Sequence, residues 1–234
     1  NVRNIPLRVE DFNRLYNEGP QAFVADWGVR EGQLVDVDTQ SRMLEWARHV
    51  GMSEWTSSVK HAPHLHTQSK HGWIRDPQIG TRGGGNHFVE VQTVSKVLDR
   101  KRAWQEGLSE GDVVVTIHSG SRDVGFYVGS RWMDRAKEQS PQGQAHPKHG
   151  LYAIEGPLAL EYLEAMGTAS RYAWLNRFLM DEMMRQSWAR VIGVPSWSLL
   201  VDVPHNVIGQ EYGRNIHRKG ATPAHTGQLG VIPG

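Results

Sequence analysis

The sequence predicts an α+β fold, in which mixed or antiparallel sheets are flanked by helices. Helical periodicity marks a few stretches of the 234-residue chain, and short β-like runs stand apart from them. Because the two kinds of element do not alternate regularly, a parallel sheet with crossover helices is not expected. A hydrophobic share of 38% and a charged share of 22% are typical of a folded globular chain.

Two short amphipathic helices are predicted in the N-terminal part. Apolar residues at helical spacing mark the first over residues 7–18, where "EGP" then breaks the pattern. The second is expected to begin near Asp38 or Ser41 and to stop at Gly51, because glycine commonly ends a helix. Residues 52–85 show no regular period and are expected to be irregular.

The longest helical pattern runs from about Leu158 to Arg190, and Gly167 is expected to bend this helix or to split it in two. A polar loop rich in Pro and Gly precedes it at residues 141–150. The basic run "DRKR" at residues 99–102 is interpreted as a solvated face rather than a binding site.

Three β-like runs each carry a histidine at one end. The run "HFVEVQTV" begins with His87, "DVVVTIH" ends at His118 and "SLLVDVPH" ends at His205. Antiparallel pairing brings the start of one strand beside the end of another, so we expect His87 to meet His118 and His205. Neutral imidazoles at such a rim are suitable ligands for Mn²⁺, Zn²⁺ or Fe²⁺. We therefore predict a three-histidine metal site, with ordinary loop histidines as the alternative.

Other histidines are abundant, since the chain has 12 in all. The segment "HAPHLHTQSKH" concentrates several of them and fits either a divalent metal site or a flexible polar loop. Its histidines are His61, His64, His66 and His71. Surface or loop positions are expected for His49, His146, His149 and His225.

Two glycine-containing loops carry groups suited to phosphate. The loop "HSGSR" offers hydroxyls that include Ser121, and the planar guanidinium of Arg122 is able to grip two phosphate oxygens. The loop "HRKGAT" adds Arg218 and Lys219 beside another glycine. Basic loops next to a metal cluster predict phosphoryl or nucleotidyl transfer.

Charge and hydropathy exclude several classes of protein. The net charge of +1 gives no overall field toward nucleic acid or an anionic membrane, so any phosphate binding must be local. No apolar run approaches the roughly 18 residues of a transmembrane helix, and the first residues lack the order of a signal peptide. A cytoplasmic location is therefore expected. The absence of Cys leaves His, Asp, Glu and Asn as metal ligands.

Taken together, these motifs resemble the RtcB family of RNA-splicing ligases. The matching segments are "GTRGGGNHFVEVQ", "VVVTIHSGSRDVG", "DVPHN", "HRKGAT" and "VIPG", in the family's order. The resemblance implies one RtcB-like catalytic domain over residues 1–234, incomplete at both ends, with an α+β fold. Residues 1–79 would be its variable helical region and residues 80–234 its motif-bearing core.

The activity that the resemblance implies is a GTP- and Mn²⁺-dependent ligation, with a pair of Mn²⁺ ions in the complete protein. Its substrates are RNAs with a 3′-phosphate or 2′,3′-cyclic phosphate end and RNAs with a 5′-hydroxyl end. A histidine is guanylylated, GMP passes to the RNA 3′-phosphate, and the 5′-hydroxyl then displaces GMP. An archease-like activator is a further expected partner.

The resemblance assigns roles residue by residue. The family's metal-binding histidines match His87, His118 and His205. Its guanylate-contacting positions match Asn86, His87, Phe88, Val89, Glu90, His205, Asn206, Pro233 and Gly234. Contact with phosphate or RNA is expected at Ser121, Arg122, Arg218 and Lys219. No histidine here matches the one that carries GMP in the family, so the catalytic residue is unassigned.

The chain departs from the family pattern at several points. The family's first metal motif, with an Asp and a bridging Cys, is expected before residue 1, and the segment with the guanylylated histidine is expected after "VIPG". Asp123 stands where many members have glycine. We therefore expect a central portion of a divergent member, which by itself forms no stable GMP adduct.

Two other functions fit the same residues. A metal-dependent phosphoesterase would use the three-histidine site with water as nucleophile and would need no guanylylated histidine. A catalytically incomplete RNA-binding remnant or subunit would acquire activity only with a partner chain. Opening of a 2′,3′-cyclic phosphate without GTP distinguishes the phosphoesterase from the ligase.

Overall fold

Helices and short antiparallel strands form the part of the chain that the computed structural model describes, which confirms the predicted α+β class. The described residues are 7–27, 37–52, 55–62, 67–68, 73–139 and 151–232. The α-helices are α1 (Val9–Asn13), α2 (Pro20–Trp27), α3 (Val37–His49), α4 (Arg100–Gln105), α5 (Arg122–Gln139) and α6 (Gly156–Val191). The strands are β1 (Leu7–Arg8), β2 (Thr67–Gln68), β3 (Trp73–Arg75), β4 (Phe88–Thr93), β5 (Val113–His118), β6 (Asn206–Glu211) and β7 (Arg214–Lys219).

The strands form small sheets in which all neighbours are antiparallel. One sheet has the order β1-β3-β2, and the others are the two-stranded pairs β4-β5 and β6-β7. In the β4-β5 ladder, Phe88 pairs with His118 at one end and Thr93 pairs with Val113 at the other. The start of β4 and the end of β5 therefore lie side by side, as the antiparallel argument predicts.

The core is organised around α6, which packs against α3 and α5. Its buried residues Tyr172, Leu175, Phe178 and Leu179 recur at helical spacing and are each no more than 1% exposed. Phe178 meets the ring of Trp46 on α3 edge-on, with the ring centroids 5.5 Å apart. Full burial of one such side chain contributes about 1.5–3 kcal/mol, so this face of α6 stabilises the fold strongly.

The long helix is not split at Gly167, because α6 runs without interruption from Gly156 to Val191. Gly167 instead allows a neighbouring segment to approach the helix. A Cβ atom at this position would lie 1.9 Å from the carbonyl oxygen of Thr56. The glycine is therefore required for close packing and does not act as a helix breaker.

The helix predicted over residues 7–18 is confirmed as α1 followed directly by a π-helix over Arg14–Glu18. The side chain of Arg171 on α6 donates to the carbonyl oxygens of Leu15 and Tyr16 at 2.9 and 3.0 Å. These bonds supply partners for carbonyl groups that the wider helical turn displaces. The N-terminal helices are thereby held against α6.

Helix α2 is not predicted by the sequence, because "EGP" indicates only that the preceding helix stops. Gly19 does end the π-helix, with φ +105°, and Pro20 then begins a new helix at once. Proline is suited to the first helical position, where its missing N–H costs nothing. The second predicted helix is confirmed as α3, and Gly51 follows its end with φ +68°.

Helix α5 is also missed by the sequence reasoning, which treats "HSGSR" only as a phosphate loop. Its buried residues Val124, Val128 and Trp132 follow a four-residue spacing. Gly125 and Gly129 lie between them and weaken the helical signal, since glycine is a poor helix former. The four-residue spacing of Val124, Val128 and Trp132 was the signal in the sequence that indicated this helix.

The prediction of a strand at "SLLVDVPH" is wrong, because residues 193–204 form no regular structure. Leu199 packs against the core, and the carboxylate of Asp202 binds a side chain of α6, so the segment is fixed by side chains instead of a ladder. The β6-β7 hairpin follows it and turns at Tyr212 and Gly213, which both have positive φ.

Several remaining predictions concern the surface and the loops. The basic run at residues 99–102 lies at the start of the solvent-exposed helix α4, where the Asp99 carboxylate accepts from the N–H of Arg102 at 3.0 Å. The loop predicted at residues 141–150 lies outside the described residues. Within the described ranges, no helix combines the length and apolar character needed to cross a membrane.

Candidate metal centre

Three histidines come together at one end of the β4-β5 hairpin. His118 ends β5, His87 directly precedes β4, and His205 directly precedes β6. The ring centroids are 5.4 Å apart for His87 and His118 and 5.0 Å apart for His118 and His205. The ring of Phe88 lies 5.3 Å from that of His118 and covers one side of it. His118 is thus the middle member of the group.

The Nε2 atoms of His118 and His205 are 3.3 Å apart. Two imidazole nitrogens at about 2.1 Å from one tetrahedral ion would be roughly 3.4 Å apart, so this pair fits a shared metal. Without a metal, the same separation fits a hydrogen bond from one neutral ring to the other. In the described part of the chain, no set of three or more His, Asp or Glu side chains is already arranged to hold an ion. The structure therefore shows a convergent pair with His87 alongside.

Unpartnered polar atoms accompany this pair. Among the described residues, the Nδ1 atoms of His87 and His118 are buried and have no hydrogen-bond partner. A buried nitrogen without a partner is costly, and such groups often indicate a functional site. These Nδ1 atoms are not the Nε2 atoms that converge. Each neutral imidazole offers one lone pair to a divalent cation, and a ring that uses Nε2 for this keeps its proton on Nδ1.

Burial lowers the pKa of His87 and of His205, because desolvation disfavours the charged imidazolium. For His87, the neighbouring His118 and Arg122 lower the pKa further. For His205, the main neighbouring groups that act in the same direction are His118 and Lys219. Both rings are therefore held in the neutral form, which is the form that binds metals.

The stability of the metal-free protein is expected to fall as the pH drops below about 6.5. A histidine whose pKa is lower in the folded state than in the unfolded state favours the folded state above the unfolded pKa. That advantage is lost as the pH falls toward the folded pKa, because the unfolded chain then binds more protons. The urea midpoint measured between about pH 7.5 and 5 tests this expectation.

Matched variants identify the groups responsible for this pH dependence. His205→Gln should reduce it, whereas His49→Gln should leave it unchanged, because His49 is exposed at the end of α3. Equal pH dependence in the wild type and in His205→Gln would contradict the assignment to the cluster.

The glycine-rich loop before His87 packs against Arg122, the first residue of α5. The Arg122 guanidinium donates to the Thr81 hydroxyl at 3.2 Å and to the side-chain oxygen of Gln78 at 3.0 Å. A Cβ atom on Gly83 would lie 1.9 Å from Arg122 Nη1 and 2.8 Å from His87 Nδ1. Two N–H groups of Arg122 are therefore hydrogen-bonded to side chains of the loop.

Gly83→Ala is expected to lower the free energy of unfolding by about 1–3 kcal/mol and to displace Arg122 or His87. Gly83 has φ +93°, and the added methyl group would overlap both side chains. Gly84→Ala is the matched control, because nothing lies within 4 Å of that position and its φ is not in the left-handed region. Urea unfolding of the two variants measures the difference, and similar losses in both would contradict the packing described.

A buried asparagine on α6 connects this loop to the end of β5. The Nδ2 atom of Asn176 lies 3.0 and 3.1 Å from the carbonyl oxygens of Thr81 and Gly120, and 3.0 Å from the Ser119 hydroxyl. Its Oδ1 atom accepts from the N–H of Thr81 at 3.0 Å. The Ser119 hydroxyl also reaches the carbonyl oxygen of Arg82 at 2.8 Å. The loop before His87 and the residues after His118 are therefore held together.

The next residue on α6 holds the segment that leads to His205. Arg177 forms a two-pronged ion pair with Asp202, with N–O distances of 2.9 and 2.8 Å, and Asp202 is only 9% exposed. Beyond it, the His205 carbonyl oxygen accepts from the N–H of Ala221 at 3.1 Å. Asn176, Arg177 and Asp202 are not predicted by the sequence reasoning. The polar pair inside the apolar stretch "YAWLNRFLM" was the available signal, since Asn is unfavourable within helices.

Comparison with known proteins assigns this chain to a family. The sequence model described as "tRNA-splicing ligase RtcB" matches residues 4–234. The chain belongs to the RtcB family. The resemblance carried by the five motifs is confirmed.

Relatives with curated names agree with this assignment. The "tRNA-splicing ligase RtcB" of Aeropyrum pernix is 38% identical over 67% of this chain and 38% of its own length. The protein of the same name from Pyrobaculum aerophilum is 30% identical over 98% of this chain and 48% of its own length. "RNA-splicing ligase RtcB homolog 1" of Entamoeba histolytica is 29% identical over 97% of this chain and 43% of its own length. The chain spans less than half the length of these relatives.

The positions that resemble the RtcB guanylate contacts lie around the histidine group. Asn86 is exposed at the end of the glycine loop, and Val89 pairs with Ile117 on β5. The Glu90 carboxylate is exposed and accepts from the Gln92 side chain at 2.9 Å. The side-chain oxygen of Asn206 is already hydrogen-bonded within the protein, since it accepts from the N–H of Gly220 at 2.9 Å. Pro233 and Gly234 lie outside the described residues.

The basic residues expected to contact phosphate are placed differently from one another. Lys219 pairs with Asn206 across the β6-β7 hairpin and acts electrostatically on His205. Arg218 points to the Glu211 carboxylate and forms a two-pronged ion pair with it, which lowers the pKa of Glu211. Lys219 is therefore close to the histidines, whereas Arg218 is already paired within the hairpin.

A groove of about 1250 Å³ opens beside the histidine group. His118, Ser121, His205 and Gly220 line it near the histidines, and the groove continues between β5 and α6. Its polar end therefore contains the two convergent histidines together with the loops before α5 and after β7. The histidine pair is therefore open to this groove.

Proposed function

We propose that this chain supplies the histidine metal site and part of the guanylate site of a Mn²⁺- and GTP-dependent RNA ligase. The observation that carries the proposal is the convergence of the His118 and His205 Nε2 atoms at 3.3 Å, with His87 beside them. Family membership supports it, because the relatives are named as tRNA-splicing or RNA-splicing ligases. The proposed reaction joins a 3′-phosphate or 2′,3′-cyclic phosphate end to a 5′-hydroxyl end.

His118 and His205, whose Nε2 atoms converge, would hold Mn²⁺, with His87 beside them as the third candidate ligand. Bound Mn²⁺ would neutralise negative charge on phosphate oxygens and so favour attack on phosphorus. The protein contributes neutral imidazoles, since burial and the neighbouring cations lower the pKa of His87 and His205. Protons therefore compete only weakly with the metal near neutral pH.

The glycine loop and Lys219 would bind the phosphate of the guanylate. Gly84 and Gly85 face open space, so their backbone is accessible to a ligand that approaches His87. The charge of Lys219, which pairs with Asn206 across the β6-β7 hairpin, acts on His205. An anion placed between these elements would be attracted by the lysine and by backbone N–H groups. Arg122 would orient the glycine loop, because its Nε and Nη2 atoms donate to Thr81 and Gln78.

The remaining parts of the proposal concern the whole protein. We place residues 1–234 in one RtcB-like catalytic domain, because the N-terminal helices and α6 share one core. RNA ends are its proposed substrates and an archease-like activator a proposed partner. A cytoplasmic location belongs to the same proposal. None of residues 1–234 is assigned the role of carrying the covalent guanylate.

Ligation by a complemented chain tests the proposal. The chain is mixed with the flanking parts of the Pyrobaculum aerophilum relative as separate polypeptides, together with Mn²⁺, GTP and RNAs that carry 2′,3′-cyclic phosphate and 5′-hydroxyl ends. Joined RNA should form only with GTP, and not with His118→Ala. Opening of the cyclic phosphate without GTP, as the sole activity, would support a phosphoesterase instead. RNA binding without either reaction, despite confirmed association of the parts, would support an inactive subunit.

A further inference from the structure

We infer that Asn176 and Arg177, consecutive residues of α6, are positioning residues that set the relative places of the three histidine-bearing segments. The metal-binding part of this inference rests on the proposed function, whereas its geometric part does not. Neither residue belongs to the five motifs that identify the family. Each holds its segment through hydrogen bonds rather than through contact with a histidine ring.

Asn176 holds the segments of His87 and His118 together. It is fully buried, and both ends of its amide bind the backbone of Thr81, which lies in the loop before His87. The same amide reaches Ser119 and Gly120, which directly follow His118. Its donor and acceptor atoms are thus used within the protein, so the side chain has no polar atom left for a ligand.

Arg177 holds the segment of His205. Consecutive residues of a helix point about 100° apart, so Arg177 reaches a segment that Asn176 does not contact. Its guanidinium grips both carboxylate oxygens of Asp202, three residues before His205. This pair substitutes for the strand pairing that residues 193–204 lack. The position of His205 therefore depends on an ion pair with α6.

The two contacts meet at Ser119. Its hydroxyl is within hydrogen-bond distance of Asn176, and its carbonyl oxygen accepts from Arg177 Nη1 at 3.4 Å. His118, the preceding residue, is the middle member of the histidine group. The surrounding face of α6 is anchored in the core by Leu175 and Phe178, so the helix is a rigid reference for all three segments.

Histidine NMR signals and Mn²⁺ affinity test this inference on the intact chain. Asn176→Asp keeps the size of the side chain and its acceptor for Thr81 but loses the amide donors. Arg177→Lys keeps the charge but loses the two-pronged geometry. Asn176→Asp should shift the ring signals of His87 and His118, and Arg177→Lys those of His118 and His205. Each variant should weaken Mn²⁺ binding roughly tenfold or more.

Thr168→Val is the matched control for loss of buried polar contacts on the same helix. Thr168 is fully buried and bonds to the backbone of Ser58 at 3.0 Å, and it lies eight residues, about 12 Å along the helix, before Asn176. Thr168→Val should reduce stability without shifting the ring signals of His87, His118 and His205. The same signal shifts in all variants, or none in Asn176→Asp and Arg177→Lys, would overturn the inference.

Two further outcomes are distinguishable. If Asn176→Asp fails to fold, Ser119→Ala removes the hydroxyl that bonds to Asn176 and to the Arg82 carbonyl oxygen, and it should shift the signals of His87 and His118. Unchanged signals in that variant would count against the inference. If the wild type binds no Mn²⁺, the proposed metal function fails, whereas the pattern of histidine signals still decides whether Asn176 and Arg177 position the segments.

Discussion

Replacing His118 with alanine is expected to abolish Mn²⁺ binding by this chain. His118 provides one of the two Nε2 atoms that converge at 3.3 Å, and its ring also contacts that of His87. Its removal leaves two rings without their common neighbour. The loss should exceed the roughly 10–100-fold weakening that is typical when only a supporting residue is removed. Titration followed by the electron paramagnetic resonance signal of free Mn²⁺ measures both affinity and stoichiometry.

His49→Ala is the control for this experiment, because it removes an exposed imidazole at the end of α3. Its affinity and stoichiometry should equal those of the wild type. His87→Ala and His205→Ala should each weaken binding, since each removes one neighbour of His118. Unchanged stoichiometry in all three cluster variants would place any bound Mn²⁺ elsewhere and would remove the main support for the proposed function.

Replacing Phe178 with alanine is expected to cost about 3–5 kcal/mol of the free energy of unfolding. The Phe178 ring is fully buried between Trp46 of α3 and Trp174 of α6, with centroid distances of 5.5 and 6.4 Å. The guanidinium of Arg42 also lies 5.8 Å from the ring centroid. Truncation removes the apolar transfer energy of the ring and leaves a cavity that three large side chains cannot easily fill. Urea unfolding followed by circular dichroism measures the loss.

The same substitution at an exposed position controls for the loss of a phenylalanine in general. Phe126 on α5 is 77% exposed, so Phe126→Ala should change the free energy of unfolding by no more than about 0.5 kcal/mol. Comparable losses at both positions would show that α6 is not the centre of the core. A destabilisation of Phe178→Ala below about 1 kcal/mol would have the same meaning.

The proximity of His87 and His118 was predictable from sequence because it follows from local pattern. β-branched residues, alternating in β4 and consecutive in β5, indicate both strands, and antiparallel pairing then places the start of β4 beside the end of β5. The proximity of His205 was predicted for a wrong reason, since its segment is not a strand. It depends on the ion pair between Arg177 and Asp202, and pairings between distant side chains leave no periodic signal.

The same distinction explains the other differences. Helices α3 and α6 follow clear apolar periods and were predicted near their observed bounds. In α5, glycines dilute an apolar stripe, and the π-helix before α2 departs from the ordinary period. Arg122 illustrates why the role of a single residue is hard to predict. An arginine in such a loop predicts phosphate binding, whereas two of its donors bind residues of the glycine loop. Side-chain partners of this kind become visible only in three dimensions.

The close approach at Gly167 has a consequence for the axial placement of α6. Because a Cβ atom there would lie 1.9 Å from the Thr56 carbonyl oxygen, only the glycine fits opposite this backbone. A one-residue shift of the helix, which combines a translation of about 1.5 Å with a rotation of about 100°, would bring Met166 or Thr168 to the same spot. Asn176 lies nine residues farther along, about 13.5 Å at the usual helical rise. The axial position of α6 is therefore fixed by a backbone contact with the N-terminal half of the chain.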